Sequence, residues 1–167
     1  GIDYKNDEYT LYAEIIDEIN EENTPTTEII AVSDKKLENC FSKLIIRSNK
    51  TIHYSHIDLL ILSTNLLDKQ LDEIFNYFLH SKNFRNDFMT IASDDIETLI
   101  KNSKYDEIEQ LIENNQHKEL INIDIEEVIK DYLNTNTITL SLLEYQENDV
   151  YYKYNVRYIN NKVEKNK

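Results

Sequence analysis

The sequence predicts a mixed α/β fold: a small mixed β-sheet with a βαβ crossover, packed by several helices, plus a C-terminal β-hairpin. Residues 57–62 are nearly continuous apolar, as expected of a strand covered on both faces. Residues 88–92 form a second such run. Between the two, Leu67, Leu71, Ile74, Phe75 and Phe78 recur at helical spacing. A helix joining two strands of one sheet implies a parallel pair and a right-handed crossover. Leu71, Ile74, Phe75 and Phe78 are therefore expected to be buried. Near the end, residues 137–143 alternate polar and apolar, and Tyr152, Tyr154, Val156 and Tyr158 share one face after a turn at 146–149.

The remaining elements follow in order. In residues 8–16, Tyr9, Leu11, Ala13 and Ile15 share one face opposite Thr10, Tyr12 and Glu14, which is the pattern of a half-buried strand. Residues 17–27 form an acidic loop holding Pro25, and residues 28–32 are a short β-branched strand. Leu37, Cys40, Phe41, Leu44 and Ile45 stripe a helix that Ser33 or Asp34 can cap. Thr64 or Asn65 can cap the crossover helix. Ser93-Asp94-Asp95 opens a short helix ending near Lys104. Tyr105, Ile108, Leu111 and Ile112 mark another, and Ile125, Val128, Ile129 and Tyr132 a third. The final hairpin lies beyond those three helices. Residues 1–133 thus read as an N-terminal αβ domain, and residues 134–167 as the start of a second domain.

Composition narrows the function classes. With 167 residues and 40% hydrophobic content, the chain can bury one core, or one and part of another. No apolar run approaches the ~18 residues that a membrane-spanning helix needs. Gly1-Ile2-Asp3-Tyr4 opens directly into strand pattern without the features of a signal peptide, so further residues are expected upstream. The net charge of −14 opposes a nucleic-acid partner and unaided adhesion to anionic lipid. The charge is uneven: residues 1–28 hold nine acidic side chains and one Lys, whereas 151–167 hold five basic and one acidic. An acidic docking face is therefore an alternative to a merely solvating surface. Gly and Pro each occur once, so Asn and Asp must make the turns.

Catalytic, cofactor and metal constellations are not visible. A chain whose sole Gly is at position 1 cannot build a phosphate-binding glycine loop. His53 and His56 lie three apart beside a strand, which would point them to opposite faces; His80 and His117 are isolated. Cys40 sits on an apolar helical stripe and reads as a buried, inert thiol, with no partner for an internal disulfide. Asp94-Asp95 and Glu126-Glu127 are adjacent acids in a chain with 32, and Glu97 reads as a capping residue. Tyr151, Tyr152, Tyr154 and Tyr158 read as sheet packing or a protein interface rather than a base-stacking platform. The residues name no catalytic, cofactor-binding or metal site.

The order of segments resembles the N-terminal region of the C-subunit lipoproteins of spore germinant receptors, the Ger(x)C family. The resemblance rests on Gly1-Ile2-Asp3 with the strand at 9–16, on a helix at 37–47, and on Tyr54-Ser55-His56 leading into residues 57–62. It continues through the helix end at 75–79, Arg85-Asn86-Asp87 before the strand at 88–92, and the strand–turn–strand of residues 154–163. The chain departs from the pattern at His80, Lys82 and Asn83, and it lacks the family's lipid-modified cysteine, since Cys40 lies inside a helix. The resemblance implies an N-terminal piece of a longer lipoprotein without enzymatic activity or cofactor. It implies an anchor at the outer face of the spore inner membrane and, as partners, the membrane subunits of the germinant receptor. An acidic adaptor or inhibitor that binds a basic protein is the alternative reading.

Overall fold

A computed structural model describes residues 1–16, 27–114, 119–159 and 162–165 of the chain. The acidic loop with Pro25, and His117, lie outside the described residues. Strands β1 (Ile2–Lys5), β2 (Glu8–Ile16) and β3 (Thr27–Asp34) come first, then helix α1 (Leu37–Ser48). A 3-10 turn at Tyr54–His56 leads into β4 (Leu59–Ser63), α2 (Thr64–Lys69), α3 (Leu71–His80) and β5 (Met89–Ser93). Helices α4 (Ile96–Asn102), α5 (Tyr105–Glu113) and α6 (Ile125–Thr135) precede β6 (Thr137–Gln146), β7 (Asp149–Ile159) and β8 (Lys162–Lys165). The strands form one mixed sheet in the order β3-β2-β1-β4-β5-β6-β7-β8.

The expected crossover is present. β4 and β5 run parallel, with Leu59 opposite Met89 and Ser63 opposite Ser93. Leu71, Ile74, Phe75 and Phe78 are all buried. Alternation along the strands sorts the core into two layers. Leu60 and Leu62 of β4, with Leu140 and Leu142 of β6, meet the residues that α1, α2, α3 and α6 bury. Ile61 and Ile91 point the other way, onto Leu99, Ile100, Ile108 and Ile112 of α4 and α5. Continuous apolar runs in β4 and β5 are the direct consequence of this two-sided coverage.

Asn and Asp, with one Glu, make these turns in a chain that has one Gly. Asn6-Asp7 joins β1 to β2 with both φ angles positive, and Glu147-Asn148 does the same between β6 and β7. This is the mark of the hairpin turn whose twist matches the strands. Asn49 and Asn136 end α1 and α6 in the left-handed conformation.

Several local expectations need correction. The crossover helix is two helices. Ser63, not Thr64 or Asn65, caps α2, accepting the Leu66 N–H at 3.0 Å. The helix breaks at Gln70, so that Leu66 and Leu67, then Leu71 and Ile74, all reach the sheet. Lys36 occupies the N-cap of α1; Asp34 instead accepts from the Lys36 N–H and the Asn39 amide, each at 3.0 Å. Ile45 faces outward and is 45% exposed, because Leu44 takes the buried position. Asp95 caps α4, while Glu97 pairs with Lys101 one turn on. Tyr152 leaves the face of Tyr154, Val156 and Tyr158. Leu142 pairs with Tyr154 but Leu143 pairs with Tyr152, so Lys153 is an extra residue that switches the side chain to the α4–α5 layer.

One added pairing had no counterpart in the sequence reading. Thr90 N–H donates to the Ile123 carbonyl at 2.9 Å, and Ile125 N–H to the Phe88 carbonyl at 3.1 Å. A short segment before α6 thus lies beside β5 and shares the slot with β6, whose one register partner on β5 is the Ala92–Leu142 pair. Ser141 ties this segment to β6: its Oγ accepts the Ile121 N–H at 2.7 Å.

Gly1 begins the sheet tightly. Its amine donates to the Tyr12 carbonyl at 2.7 Å, and a Cβ at this position would lie 2.3 Å from Ile96 Cγ2.

Candidate functional site

In open α/β sheets, ligands usually bind beyond the carboxyl ends of parallel strands, where the strand order reverses. Here the strand order reverses between β1 and β4, but on one side of that point β2 and β3 join β1 through antiparallel pairing and not through parallel crossovers. The carboxyl ends are also occupied. Asp94, just after β5, accepts from Thr64 and from Lys165 of β8 at 3.1 and 3.3 Å, and Lys153 of β7 lies 4.0 Å away. Burial works to raise the Asp94 carboxyl, but these donors and cations hold it below its ordinary value. Asp94 thus fastens the C-terminal hairpin over the crossover.

The cleft lies at the opposite end, around the amino ends of β4 and β5. It is an open, largely polar cleft of about 580 Å³. Ser55, His56, Ile57 and Asp58 form one wall, and Arg85, Asp87, Phe88 and Met89 another; Tyr105 of α5 and Asn122 complete it. Tyr54-Ser55-His56 and Arg85-Asn86-Asp87, separate in sequence, converge here.

The two motifs divide their work between core and cleft. Tyr54 packs against Phe41 and Phe84, with ring centroids at 5.4 and 5.2 Å, and donates its hydroxyl to the Phe41 carbonyl. His56 is left exposed at the cleft. The turn also corrects the expectation for His53 and His56. Residues three apart eclipse in a 3-10 turn, and the two rings sit 5.9 Å apart. Among the described residues, no cluster of three or more His, Cys, Asp and Glu side chains is placed to hold a metal ion.

Arg85 pairs with Asp87 at the cleft mouth, and both side chains are exposed. Asp87 first, then Asp58, raises the Arg85 pKa above its ordinary value. Burial, followed by the hydrogen bond to Glu109, pushes the Tyr105 hydroxyl up to about 12, so it stays a neutral donor. Between Arg85 and Asp87, the Asn86 carbonyl accepts from the Glu126 N–H at 3.2 Å, and its side-chain Oδ1 is buried without a partner among the described residues. The arrangement presents mixed charge and hydrogen-bonding groups, suited to binding a polar surface or molecule.

Cys40 lies away from this cleft. It is buried, its thiol reaches towards the Tyr9 carbonyl at 3.6 Å, and burial raises its pKa. Tyr151 is 45% exposed, whereas Tyr154 and Tyr158 are buried in the sheet. Sequence reasoning missed Asp58, Tyr105 and Asn122 as cleft residues. The alternation of Leu120, Asn122 and Asp124 with Ile121, Ile123 and Ile125 was the available sign that the segment before α6 is extended.

No curated protein matches the chain. A crystal structure of the GerBC protein matches with a TM-score of 0.51 at 15% identity. The match covers 99% of this chain and 50% of that one, so the chain spans about half the length of GerBC. The likeness establishes a shared fold. The family model for the spore germination protein N-terminal domain matches residues 1–145. That stretch includes the crossover and both motifs of the cleft, and the chain therefore belongs to the spore germination protein N-terminal domain family.

Proposed function

We propose that this chain is the N-terminal region of the C subunit of a nutrient germinant receptor. The observation that carries the reading is the family match over residues 1–145. The whole protein is a lipoprotein without catalytic activity, held at the outer face of the spore inner membrane. It supports germination through contacts with the membrane subunits of the receptor. Residues 134–167 begin a second domain, although β6, β7 and β8 continue the sheet of the first.

Two physical features support this placement. No helix among the described residues is long and apolar enough to cross a membrane. With a net charge of −14, the chain has little attraction of its own for anionic lipid. An acyl chain alone gives marginal binding, so contacts with protein partners complete the retention.

Replacing the anchor cysteine of the full-length protein by Ala tests the proposal. The protein should leave the membrane fraction, and the variant gene should restore germination poorly. Full membrane retention together with normal germination would contradict the anchored reading. The charge also favours a second reading, an acidic adaptor or inhibitor with a basic protein partner. Capture of such a partner that is lost as salt rises, from spores lacking every receptor membrane subunit, would favour it.

A further inference from the structure

Among the described residues, the sheet ends on β3 at one side and β8 at the other. An edge strand presents unpaired carbonyls and N–H groups, a template for another strand. The β3 edge is met by a row of cations from α1. Lys43 Nζ donates to the Ser33 carbonyl at 2.7 Å, and Arg47 Nη1 to the Ala31 carbonyl at 2.9 Å. Lys50 pairs with Glu28 at 3.2 Å, farther along the same strand. Helix number rises as strand number falls, so α1 runs antiparallel to β3.

The spacing explains why the row fits. Four residues of helix advance about 6 Å. Two residues of strand, the repeat between carbonyls on one side, advance about 6.8 Å. Positions 43 and 47 therefore meet alternate carbonyls of β3, as a neighbouring strand's N–H groups would. Lys43 is further fixed by Asp34 at 2.6 Å, and this contact holds the Asp34 carboxyl well below the usual carboxylate range.

The other edge carries the complementary device. The N–H of Val163 in β8 donates to the Asp68 carboxylate of α2 at 3.4 Å. At β3, side-chain donors meet strand carbonyls; at β8, a side-chain acceptor meets a strand N–H.

We propose that Lys43 and Arg47 act as a strand-blocking row that keeps the β3 edge from pairing with a second copy of this chain. The row replaces the donors of a ninth strand and sets cations where an incoming strand would have to lie. Ala31 and Ser33 keep their N–H groups on the same outer side as their carbonyls, because a strand residue presents both in one direction. Losing the cations exposes both halves of the ladder. This inference does not depend on the germinant-receptor reading.

The test is the Lys43→Ala/Arg47→Ala variant, compared with the unchanged chain by sedimentation velocity over a concentration series, with amide hydrogen exchange at Ala31 and Ser33. The unchanged chain should be monomeric, with fast exchange at both amides. The variant should keep its circular dichroism spectrum, form a concentration-dependent dimer, and gain protection at both amides in the dimer. A folded variant that stays monomeric overturns the proposal, as does a dimer that leaves those amides unprotected. Protection of both amides in the unchanged chain overturns it without any variant. Should the double variant lose its fold, Arg47→Ala alone carries the same readouts.

Discussion

Phe75→Ala should destabilise the chain by about 3–5 kcal/mol. Phe75 is 2% exposed on α3, and its ring meets Tyr132 of α6 edge-on at a centroid distance of 5.1 Å. Truncation removes the contact between two helices on the same side of the sheet and leaves a cavity between them. Tyr132 is also tied to α3 by a hydrogen bond from its hydroxyl to Asp72, so the surrounding groups cannot simply collapse into the gap. Chemical denaturation measures the loss from the shift in midpoint at unchanged slope. A loss below about 1 kcal/mol would place Phe75 outside the core.

Ile91→Ala should cost about 2–5 kcal/mol, although Ile91 lies on the opposite side of the sheet from α3. It is fully buried at the centre of β5, under the apolar residues of α4 and α5. A sheet covered on one face would tolerate this change, since Ile91 would then meet solvent. The same denaturation experiment separates the cases: a cost near zero would mean that α4 and α5 do not pack on β5. Because Ile91 and Phe75 lie in different layers, their effects should add in the double variant.

The crossover was legible because burial on both faces leaves an uninterrupted apolar run, and residues 57–62 and 88–92 carry one each. The C-terminal hairpin was legible from alternation at residues 137–143 and from a turn that lacks Gly but holds Asn148. Features that depend on a single inserted residue were not. Lys153 adds one residue to β7 and reverses the side on which Tyr152 falls, yet nothing in the local pattern marks it. Gln70 likewise breaks a helical stripe that reads as continuous, and its side chain lies 3.1 Å from the buried Tyr9 hydroxyl. That hydroxyl donates to Glu73 at 2.6 Å, a contact 64 residues away in sequence.

The cleft was legible in its parts and not in its assembly. The Tyr-x-His and Arg-x-Asp segments stood out through family resemblance, but their meeting depends on the parallel register that sets Leu59 against Met89. Tyr105 and Asn122 reach the cleft from α5 and from the segment beside β5. Tyr105 carries no local signal, and the alternation around Asn122 marks only an extended segment, because both positions reach the cleft through tertiary packing.

The proposed role of the full-length protein as a germinant-receptor subunit is tested by deleting its gene in the host and measuring spore yield and the germination response to each nutrient separately. Spores should form normally and fail to respond to at least one nutrient, and the intact gene should restore the response. Normal germination with every nutrient, in a strain without a redundant paralogue, would contradict the account.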